Sequence, residues 1–206
     1  MPRKYLLLLS VALGVIFLDQ WTKYLVVREL TTRFDDRPTV GERLSAMYGE
    51  PPPTGFDGLH YRSKRYIDIS PSVFRLRYAE NPGAAWGLFR TMPADLRGPL
   101  FHLVSIGAVV LITWYFSRLS GKDPKERWAY YGLPLVLGGA IGNYIDRLAR
   151  AFVIDFLEAH WYDKAYFPSF NVADSAICVG VGMLIIDAFV RKETPKAEEK
   201  SAEARP

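Results

Sequence analysis

The sequence has few of the residue patterns that build common soluble enzyme sites. Its one cysteine, Cys178, rules out a disulfide framework and lies in an apolar run with no histidine nearby, which argues against a thiol nucleophile. The three histidines are scattered and form no HExxH zinc pattern. There is no GxSxG motif, and the stretch GGAIGN lacks the Lys-Ser/Thr pair of a phosphate-binding loop. The sequence therefore gives no support for a metal, thiol, serine or phosphate-loop site.

Charged and apolar residues are separated along the chain. Of its 206 residues, 50% are hydrophobic and 23% are charged, and the mean hydropathy is +0.01. The net charge is +4, but the basic residues flank apolar blocks rather than forming one stripe. A membrane surface explains this arrangement better than nucleic acid does. We therefore expect contact with membrane lipid and no nucleic-acid partner.

Four apolar blocks, at residues 5–27, 99–116, 128–145 and 176–190, predict four transmembrane helices. A span needs about 20 mostly apolar residues. The first and fourth blocks reach that length only if the adjoining polar residues are inside the helix, so we expect those residues to face protein rather than lipid. The first block is also similar to a signal peptide. No small-x-small cleavage site follows it, and we interpret it as a retained helix.

Basic residues predict the orientation of the four helices. MPRK precedes the first block, RLSGKDPKER joins the second and third, and further basic residues follow the fourth. The positive-inside rule places this side, with both termini, in the cytoplasm. Residues 28–97 would then form an outer loop and sheet segment. We expect one polytopic membrane domain over residues 1–190, followed by a disordered, charged cytoplasmic tail at 191–206.

Alternating apolar residues within the outer segment predict two short strands. Ile67 and Ile69 alternate with polar residues, and the same pattern follows at Phe74, Leu76 and Tyr78. A small outer sheet is the expected result. The residues before it are rich in turn formers and predict loop with one short helix.

When the four blocks are threaded through a membrane, their polar residues fall at one depth, near the outer face. Ionisable groups at such a depth are costly and usually face a bundle interior or a cavity. Spacing of four residues puts Asp19 with Lys23, and Asn143 with Arg147, on one helix face. Two carboxylates close together can share a proton, which suggests acid–base chemistry. The cluster comprises Asp19, Gln20, Lys23, Asn81, Asn143, Asp146, Arg147, Asp155, Asn171 and Asp174.

Other interpretations of these groups remain open. Asp19 with Lys23, and Asp146 with Arg147, could be local ion pairs, and Asp174 could cap a helix N-terminus. An ion-coupled transporter or channel subunit could use the same acidic cluster as a proton relay. The inner parts of the predicted helices offer almost no titratable groups to continue such a relay. A structural assembly protein, locked together by these polar groups, is a third possibility.

Five motifs, in order along the chain, resemble those of the lipoprotein signal peptidase (signal peptidase II) family. They are DQWTK at 19–23, NPGAAWGLF at 81–89, GGAIGNYIDR at 138–147, VIDF at 153–156 and FNVADS at 170–175. Each is weak alone, but five in sequence on four spans are very specific. The resemblance implies an all-α membrane protein with four transmembrane helices, a small extracytoplasmic β-sheet cradle, and a surface helix over AAWGLFRTMPADL.

The resemblance also implies an aspartyl endopeptidase that removes the signal peptide from diacylglyceryl-prolipoproteins by cutting before the lipid-modified cysteine. It implies Asp155 and Asp174 as the catalytic pair and requires no cofactor or metal. Spacing alone would favour Asp146 over Asp155; the resemblance makes Asp146 a structural ion-pairing residue. Substrate-binding or supporting roles are implied for Asp19, Lys23, Asn81, Gly139, Asn143, Arg147, Asn171 and Ala173.

The expected setting follows from the same resemblance. It implies a monomer in the bacterial inner membrane, with the active site near the outer face, lipid-modified prolipoproteins as substrates, and inhibition by globomycin. One departure from the family pattern is the long stretch at about residues 31–61. Within it, YGEPPPTGFDG predicts an inserted flexible flap.

Overall fold

Long helices make up most of the chain, and a small sheet lies at one end of them. The computed structural model describes residues 3–50, 60–83, 88–89 and 91–192. The helices are α1 (Arg3–Leu30), α2 (Val40–Leu44), α3 (Ala94–Arg118), α4 (Arg127–Arg150) and α5 (Val172–Lys192). A π-helical turn, Ser45–Gly49, directly follows α2, and a 3₁₀ turn, Pro124–Glu126, directly precedes α4.

Three helices have the length and hydropathy needed to cross a membrane. Among the described residues these are Arg3–Leu30, Asp95–Arg118 and Val172–Arg191. They correspond to the first, second and fourth predicted blocks, and the polar residues that adjoin the first and fourth blocks are indeed inside the helices. α4, which contains the third block, is less apolar because it is the central helix and buries glycine and polar residues against its neighbours.

Glycines bring α4 close to two other helices. A Cβ atom added at Gly138 would lie 2.8 Å from the carbonyl oxygen of Ala12 in α1, and one at Gly139 would lie 2.4 Å from the carbonyl oxygen of Ala173 in α5. Real Cβ atoms do not approach so closely. Only glycine permits these backbone contacts, which bring α1 against α4 at Gly138 and α5 against α4 at Gly139.

The contacts along α4 also fix the direction of each helix. α1 runs parallel to α4, because Ala12 lies by Gly138 and Lys23 lies by Asp146. α5 runs antiparallel, because its N-terminus lies by Gly139 and its later Gly180 lies by Gly132, nearer the start of α4. α3 is also antiparallel, since Phe116 packs on Tyr130 and His102 packs on Tyr144.

The sheet has four antiparallel strands in the order β1 (Ile67–Ser70), β2 (Phe74–Asn81), β3 (Val153–Trp161) and β4 (Ala165–Tyr166). The prediction of β1 and β2 is confirmed. β3 and β4, which lie between α4 and α5, were not predicted, and β3 contains Asp155. The first four residues of β3 are all buried, so its sequence lacks the alternation that marked the other strands.

The described part of the inserted segment, which we define as residues 31–61, packs against the rest of the fold. Its described part contains α2, which begins with a capping box between Thr39 and Glu42. Ala46 and Met47 of the π-helical turn are fully buried, and Tyr61 is nearly so, in a core shared with α1 and β3. The segment therefore packs as part of the fold at both ends.

Three predictions fall wholly or partly outside the described residues. Most of the predicted flap, at 51–58, is outside them, as is nearly all of the predicted tail, at 193–206. Much of the predicted surface helix is also outside them, and its last residues, 94–96, instead begin α3.

The packing of α4 on α5 predicts opposite effects at two neighbouring glycines. A Cβ at Gly180 would lie 2.7 Å from the carbonyl oxygen of Gly132, whereas a Cβ at Gly182 meets nothing within 4 Å among the described residues. Gly180→Ala should lower the free energy of unfolding by about 1–3 kcal/mol, and Gly182→Ala should not lower it. Thermal unfolding in detergent measures both, and equal melting temperatures would contradict this packing.

Candidate active site

Asp155 and Asp174, the two predicted catalytic residues, come from different elements and are joined through two asparagines. Asp155 lies in β3, and Asp174 lies in the first turn of α5. Asn171 Nδ2 donates to Asp155 Oδ1 at 2.8 Å, and Asn143 Nδ2 donates to Asp174 Oδ1 at 2.8 Å. Asn171 Nδ2 also donates to Asn143 Oδ1 at 3.1 Å. This amide bridge, Asn143 with Asn171, holds both carboxylates from one side.

Asp174 takes part in the cap of α5 as well. The backbone N–H of Asn171 donates to Asp174 Oδ2 at 3.1 Å, and the backbone N–H of Asp174 donates to Asn171 Oδ1 at 2.9 Å. This reciprocal pair is a capping box, with Asn171 at the N-cap and Asp174 three residues later. The interpretation of Asp174 as part of a helix cap therefore agrees with the geometry. The cap uses Oδ2, and Oδ1 faces the amide bridge.

Asp155 is held from its other side by β2. Asn81 Nδ2 donates to Asp155 Oδ2 at 3.1 Å, and Asn81 Oδ1 accepts the backbone N–H of Gly83 at 3.0 Å. The antiparallel register that pairs Ala79 with Asp155 brings the end of β2 to this position. Both oxygens of Asp155 thus accept amide hydrogen bonds, although only 3% of the residue is exposed.

Four buried charged residues lie behind the amide bridge, and we call them the buried charge cluster: Asp19, Lys23, Asp146 and Arg150. Each is at most 1% exposed, and their formal charges sum to zero. Lys23 Nζ lies 2.7 Å from Asp19 Oδ2 and 3.0 Å from Asp146 Oδ2. Arg150 pairs with Asp146 one helical turn away. Asp146 thus forms ion pairs, as the resemblance implied, but its partners are Lys23 and Arg150 rather than Arg147, the alternative that the sequence left open.

The buried charge cluster contacts the amide bridge directly. Lys23 Nζ donates to Asn143 Oδ1 at 3.2 Å. With Lys23 and Asn171 both donating to this oxygen, the Asn143 side chain has one orientation, in which its nitrogen points to Asp174. Asp146 Oδ2 accepts the backbone N–H of Ile154 at 3.0 Å, next to Asp155 in sequence. Both aspartates are thus positioned by groups in contact with the buried charges.

Burial raises the pKa of the Asp155 carboxyl from its ordinary value of 3.8 to about 7, and the nearby negative charge of Asp174 adds to this effect. The hydrogen bonds from Asn81 and Asn171 act in the opposite direction but are weaker. Asp155 therefore binds a proton near neutral pH. A buried carboxylic acid next to a second, half-buried carboxyl is suited to general acid–base chemistry.

The remaining predicted site residues lie around this centre. Arg147 donates to the carbonyl oxygens of Asn143, at 3.3 Å, and Gly83, at 3.2 Å, and its guanidinium lies 4.6 Å from the ring centre of Phe101. The backbone N–H of Ala173 donates to Asp19 Oδ1 at 3.0 Å. Ala173 also faces Gly139 across the contact between α4 and α5. The structure thus brings every predicted site residue into one region.

Sequence analysis missed several residues in the same network. Gln20 was in the predicted polar cluster but was given no role, and Arg150 has only its four-residue spacing from Asp146 as a signal. Tyr48, in the inserted segment, had no signal at all. At the other end of the bundle, Asp187 accepts the backbone N–H of Ala129 at 3.2 Å and pairs with Arg191 at 2.7 Å, although no role was expected for it.

Metal ligation is not supported by this arrangement. Among residues 3–50, 60–83, 88–89 and 91–192, no group of three or more His, Cys, Asp or Glu side chains is placed to hold a metal ion. The acidic residues of the site instead face amides, a lysine and an arginine. Positively charged and N–H groups occupy the positions around the carboxylates that a cation would need.

Comparisons with known proteins agree on one family. The model of the family described as "Signal peptidase (SPase) II" matches residues 11–190. A lipoprotein signal peptidase of Anaeromyxobacter sp. (strain Fw109-5) is 41% identical over 203 residues, which cover 94% of this chain and 90% of that protein. A lipoprotein signal peptidase of Geobacillus kaustophilus (strain HTA426) is 38% identical over 192 residues, covering 92% and 97%.

A solved structure has the same fold. It is a bacterial membrane enzyme determined by the in meso method, with a TM-score of 0.62 and 23% sequence identity. The match covers 92% of this chain and 90% of that chain. The helices and the sheet thus recur together in a protein taken from a membrane.

The raised pKa of Asp155 predicts a pH dependence of stability that Asp155→Asn should remove. The folded protein binds a proton at Asp155 up to about pH 7, whereas the unfolded chain loses it near pH 3.8. The contribution of Asp155 to stability therefore falls as pH rises between these values. Relative to the unchanged protein, the free energy of unfolding of Asp155→Asn should rise by on the order of 4 kcal/mol across this pH window.

Thermal unfolding in detergent at a series of pH values measures this difference. Asp68→Asn is the matched control, because Asp68 is exposed on β1 of the same sheet. The difference from the unchanged protein should change with pH much more for Asp155→Asn than for this control. A constant difference for Asp155→Asn would mean that Asp155 ionises at its ordinary pKa.

Proposed function

This chain belongs to the signal peptidase II family, and on that premise we propose that it acts as an aspartyl endopeptidase in which Asp155 and Asp174 are the reacting groups. It removes signal peptides from prolipoproteins. The observation that supports the aspartyl mechanism is the amide bridge, which holds both carboxyls at 2.8 Å from neighbouring side-chain nitrogens. A chemical role for both aspartates explains why the fold places them together despite their like charge.

The two carboxyls have different roles in this mechanism. Asp155 holds a proton near neutral pH, because its pKa is about 7. Asp174, half-buried at the start of α5, takes a proton from the attacking water. The water oxygen bonds to the scissile carbonyl carbon while Asp155 donates its proton to the carbonyl oxygen, giving a neutral tetrahedral intermediate.

Collapse of the intermediate restores the enzyme. The carbon–nitrogen bond breaks, and the proton that Asp174 received passes to the leaving amine. One hydroxyl of the intermediate returns its proton to Asp155 as the new carboxyl group forms. One water is consumed, and both aspartates end in their starting states, so no cofactor takes part.

Neighbouring groups hold the substrate backbone. Arg147 is half-buried and within electrostatic reach of both aspartates, and its guanidinium has more N–H donors than the two bonds described for it use. Together with Asn81 it can bind an extended peptide through backbone carbonyl groups. Ala173 is fully buried, and its small side chain leaves room beside Asp174. These residues orient the scissile bond and take no part in proton transfer.

We place the protein in the bacterial inner membrane with four spans. α4, the third of these spans along the chain, is added to the three apolar helices because its 24 residues reach about 36 Å. It also packs lengthwise on the three apolar helices. Both termini are cytoplasmic, and residues 1–190 form one domain followed by a charged tail. The sheet is then extracytoplasmic. The site lies at the outer ends of α1 and α4 and at the start of α5.

This location determines the substrate that fits. A diacylglyceryl-modified precursor would keep its acyl chains in lipid while its scissile bond, just before the modified cysteine, reaches the two aspartates. The protein works as a monomer, because the amide bridge, the buried charge cluster and both aspartates come from one chain. Globomycin should compete for the same space.

Asp155→Asn and Asp174→Asn should each lower the rate of signal-peptide release by at least about 1,000-fold, because each removes one proton-transfer group. The measurement is cleavage of a purified diacylglyceryl-modified precursor, with globomycin as an inhibitor of the unchanged protein. Asp68→Asn, on the exposed part of the same sheet, is the control and should cleave normally.

Two outcomes would contradict the proposal. Normal cleavage by either variant would show that its aspartate is not a reacting group. Proton flux through liposomes containing the protein, without peptide cleavage, would favour the relay of a transporter. Thermal unfolding of both variants tests a third explanation, in which the aspartates serve only to hold the helices together.

A further inference from the structure

The inserted segment reaches the buried charge cluster through its π-helical turn. Arg150 Nη1 donates to the backbone carbonyl oxygen of Met47 at 2.7 Å, while its other terminal nitrogen pairs with Asp146. The Arg150 guanidinium also lies 5.2 Å from the ring centre of Tyr48. Met47 is fully buried, so this carbonyl oxygen is an internal partner for a buried cation. The insert therefore supplies part of the environment that the charge cluster requires.

Tyr48 makes a second contact, through Gln20 of α1. The Tyr48 hydroxyl donates to Gln20 Oε1 at 2.9 Å. Burial raises the pKa of Tyr48 to about 12, so its hydroxyl keeps the proton that it donates. Because the oxygen of the Gln20 amide faces Tyr48, its nitrogen must face the opposite way. The hydroxyl thus adds to the preference for one of the two orientations of this amide and gives its oxygen a fixed donor.

The selected orientation matters because acceptors surround the Gln20 nitrogen. Nε2 lies 3.0 Å from Asp19 Oδ2, 3.1 Å from Asp146 Oδ1 and 3.0 Å from the carbonyl oxygen of Gly142. The reversed amide would direct its oxygen at two carboxylates and a carbonyl group, which is repulsive. Without the Tyr48 hydroxyl, Gln20 would lose the partner that holds its oxygen, and the carboxylates would lose a fixed donor.

From Asp146, one contact leads to the residue before Asp155, and three contacts lead to Asp174. Asp146 accepts the backbone N–H of Ile154 at 3.0 Å, which sets the start of β3 just before Asp155. Lys23 links Asp146 to Asn143, whose nitrogen donates to Asp174. A change in the position of Asp146 would therefore be felt by both reacting aspartates.

We propose that Tyr48 is a positioning residue for peptide cleavage, acting through Gln20 and Asp146 on the aspartate pair. The inserted segment is then a working part of the enzyme rather than a passive extension of an outer loop. This inference depends on the proposed function, since it assumes that Asp155 and Asp174 are the reacting groups.

Tyr48→Phe tests the inference with little risk to folding, because it keeps the ring under Arg150 and removes only the hydroxyl. We expect kcat for a diacylglyceryl-modified precursor to fall about 3- to 10-fold, the factor that corresponds to losing one hydrogen bond, with KM changed less than about 2-fold. Tyr61→Phe is the matched control: Tyr61 packs in the same cluster of buried residues, and none of its described hydrogen bonds reaches Gln20. It should leave kcat unchanged.

A double-mutant cycle shows whether Tyr48 acts through Gln20. Gln20→Met keeps the length of the side chain and removes both of its polar atoms, and it should itself lower kcat. In that background Tyr48→Phe should change kcat by less than about 2-fold, because the partner of the hydroxyl is already absent. Full, independent losses from the two substitutions would overturn the proposed route.

The outcomes also separate this inference from the proposed function. Equal kcat for Tyr48→Phe and Tyr61→Phe, while Asp155→Asn and Asp174→Asn are inactive, would overturn the positioning role alone. Cleavage by either aspartate variant would remove the premise and the inference together. A lower melting temperature for Tyr48→Phe with unchanged kcat would show that the hydroxyl serves stability only.

Discussion

Lys23 and Asp146 meet between two helices where neither is exposed, and the site depends on how their charges are balanced. A buried charge is tolerated only when partners replace the water that it loses. Lys23 Nζ has three acceptor oxygens within 3.2 Å, on residues of α1 and α4. Asp146 contacts a second cation, Arg150. These contacts fix the position of α1 along α4. They also hold the Asn143 side chain of α4 where it donates to Asp174.

The two carboxyls that we propose as catalytic have different partners from these structural ones. Asp155 and Asp174 receive their hydrogen bonds from side-chain and backbone amides, not from cations, among the contacts of the described residues. A lysine or arginine in contact with Asp155 would keep it ionised, whereas neutral donors position it and still allow its pKa to rise to about 7. The fold thus separates two tasks. Cations neutralise the aspartates that hold the helices, and asparagines orient the aspartates that we propose to react.

The sequence predicted the helices and the clustering of the polar groups well, because apolar blocks and helical spacing are local signals. It did not predict β3, which is buried along its first residues and so lacks alternation. Spacing therefore favoured Asp146, on a visible helix, and only the resemblance to a family identified Asp155. The contacts of Arg150 and Tyr48 join segments that are distant in sequence: Arg150 contacts Met47, 103 residues away, and Tyr48 contacts Gln20, 28 residues away. No local pattern encodes such contacts.

We propose that Asp155 and Asp174 share one proton during cleavage, and the pH dependence of kcat/KM would reveal this. The rate should be measured on a diacylglyceryl-modified precursor from about pH 4 to about pH 9, where both limbs of the profile are visible. We expect a bell-shaped profile whose upper apparent pKa, a property of the pair, lies near 7. A rate that stays constant or keeps rising to the alkaline end would show that the two aspartates do not share a proton.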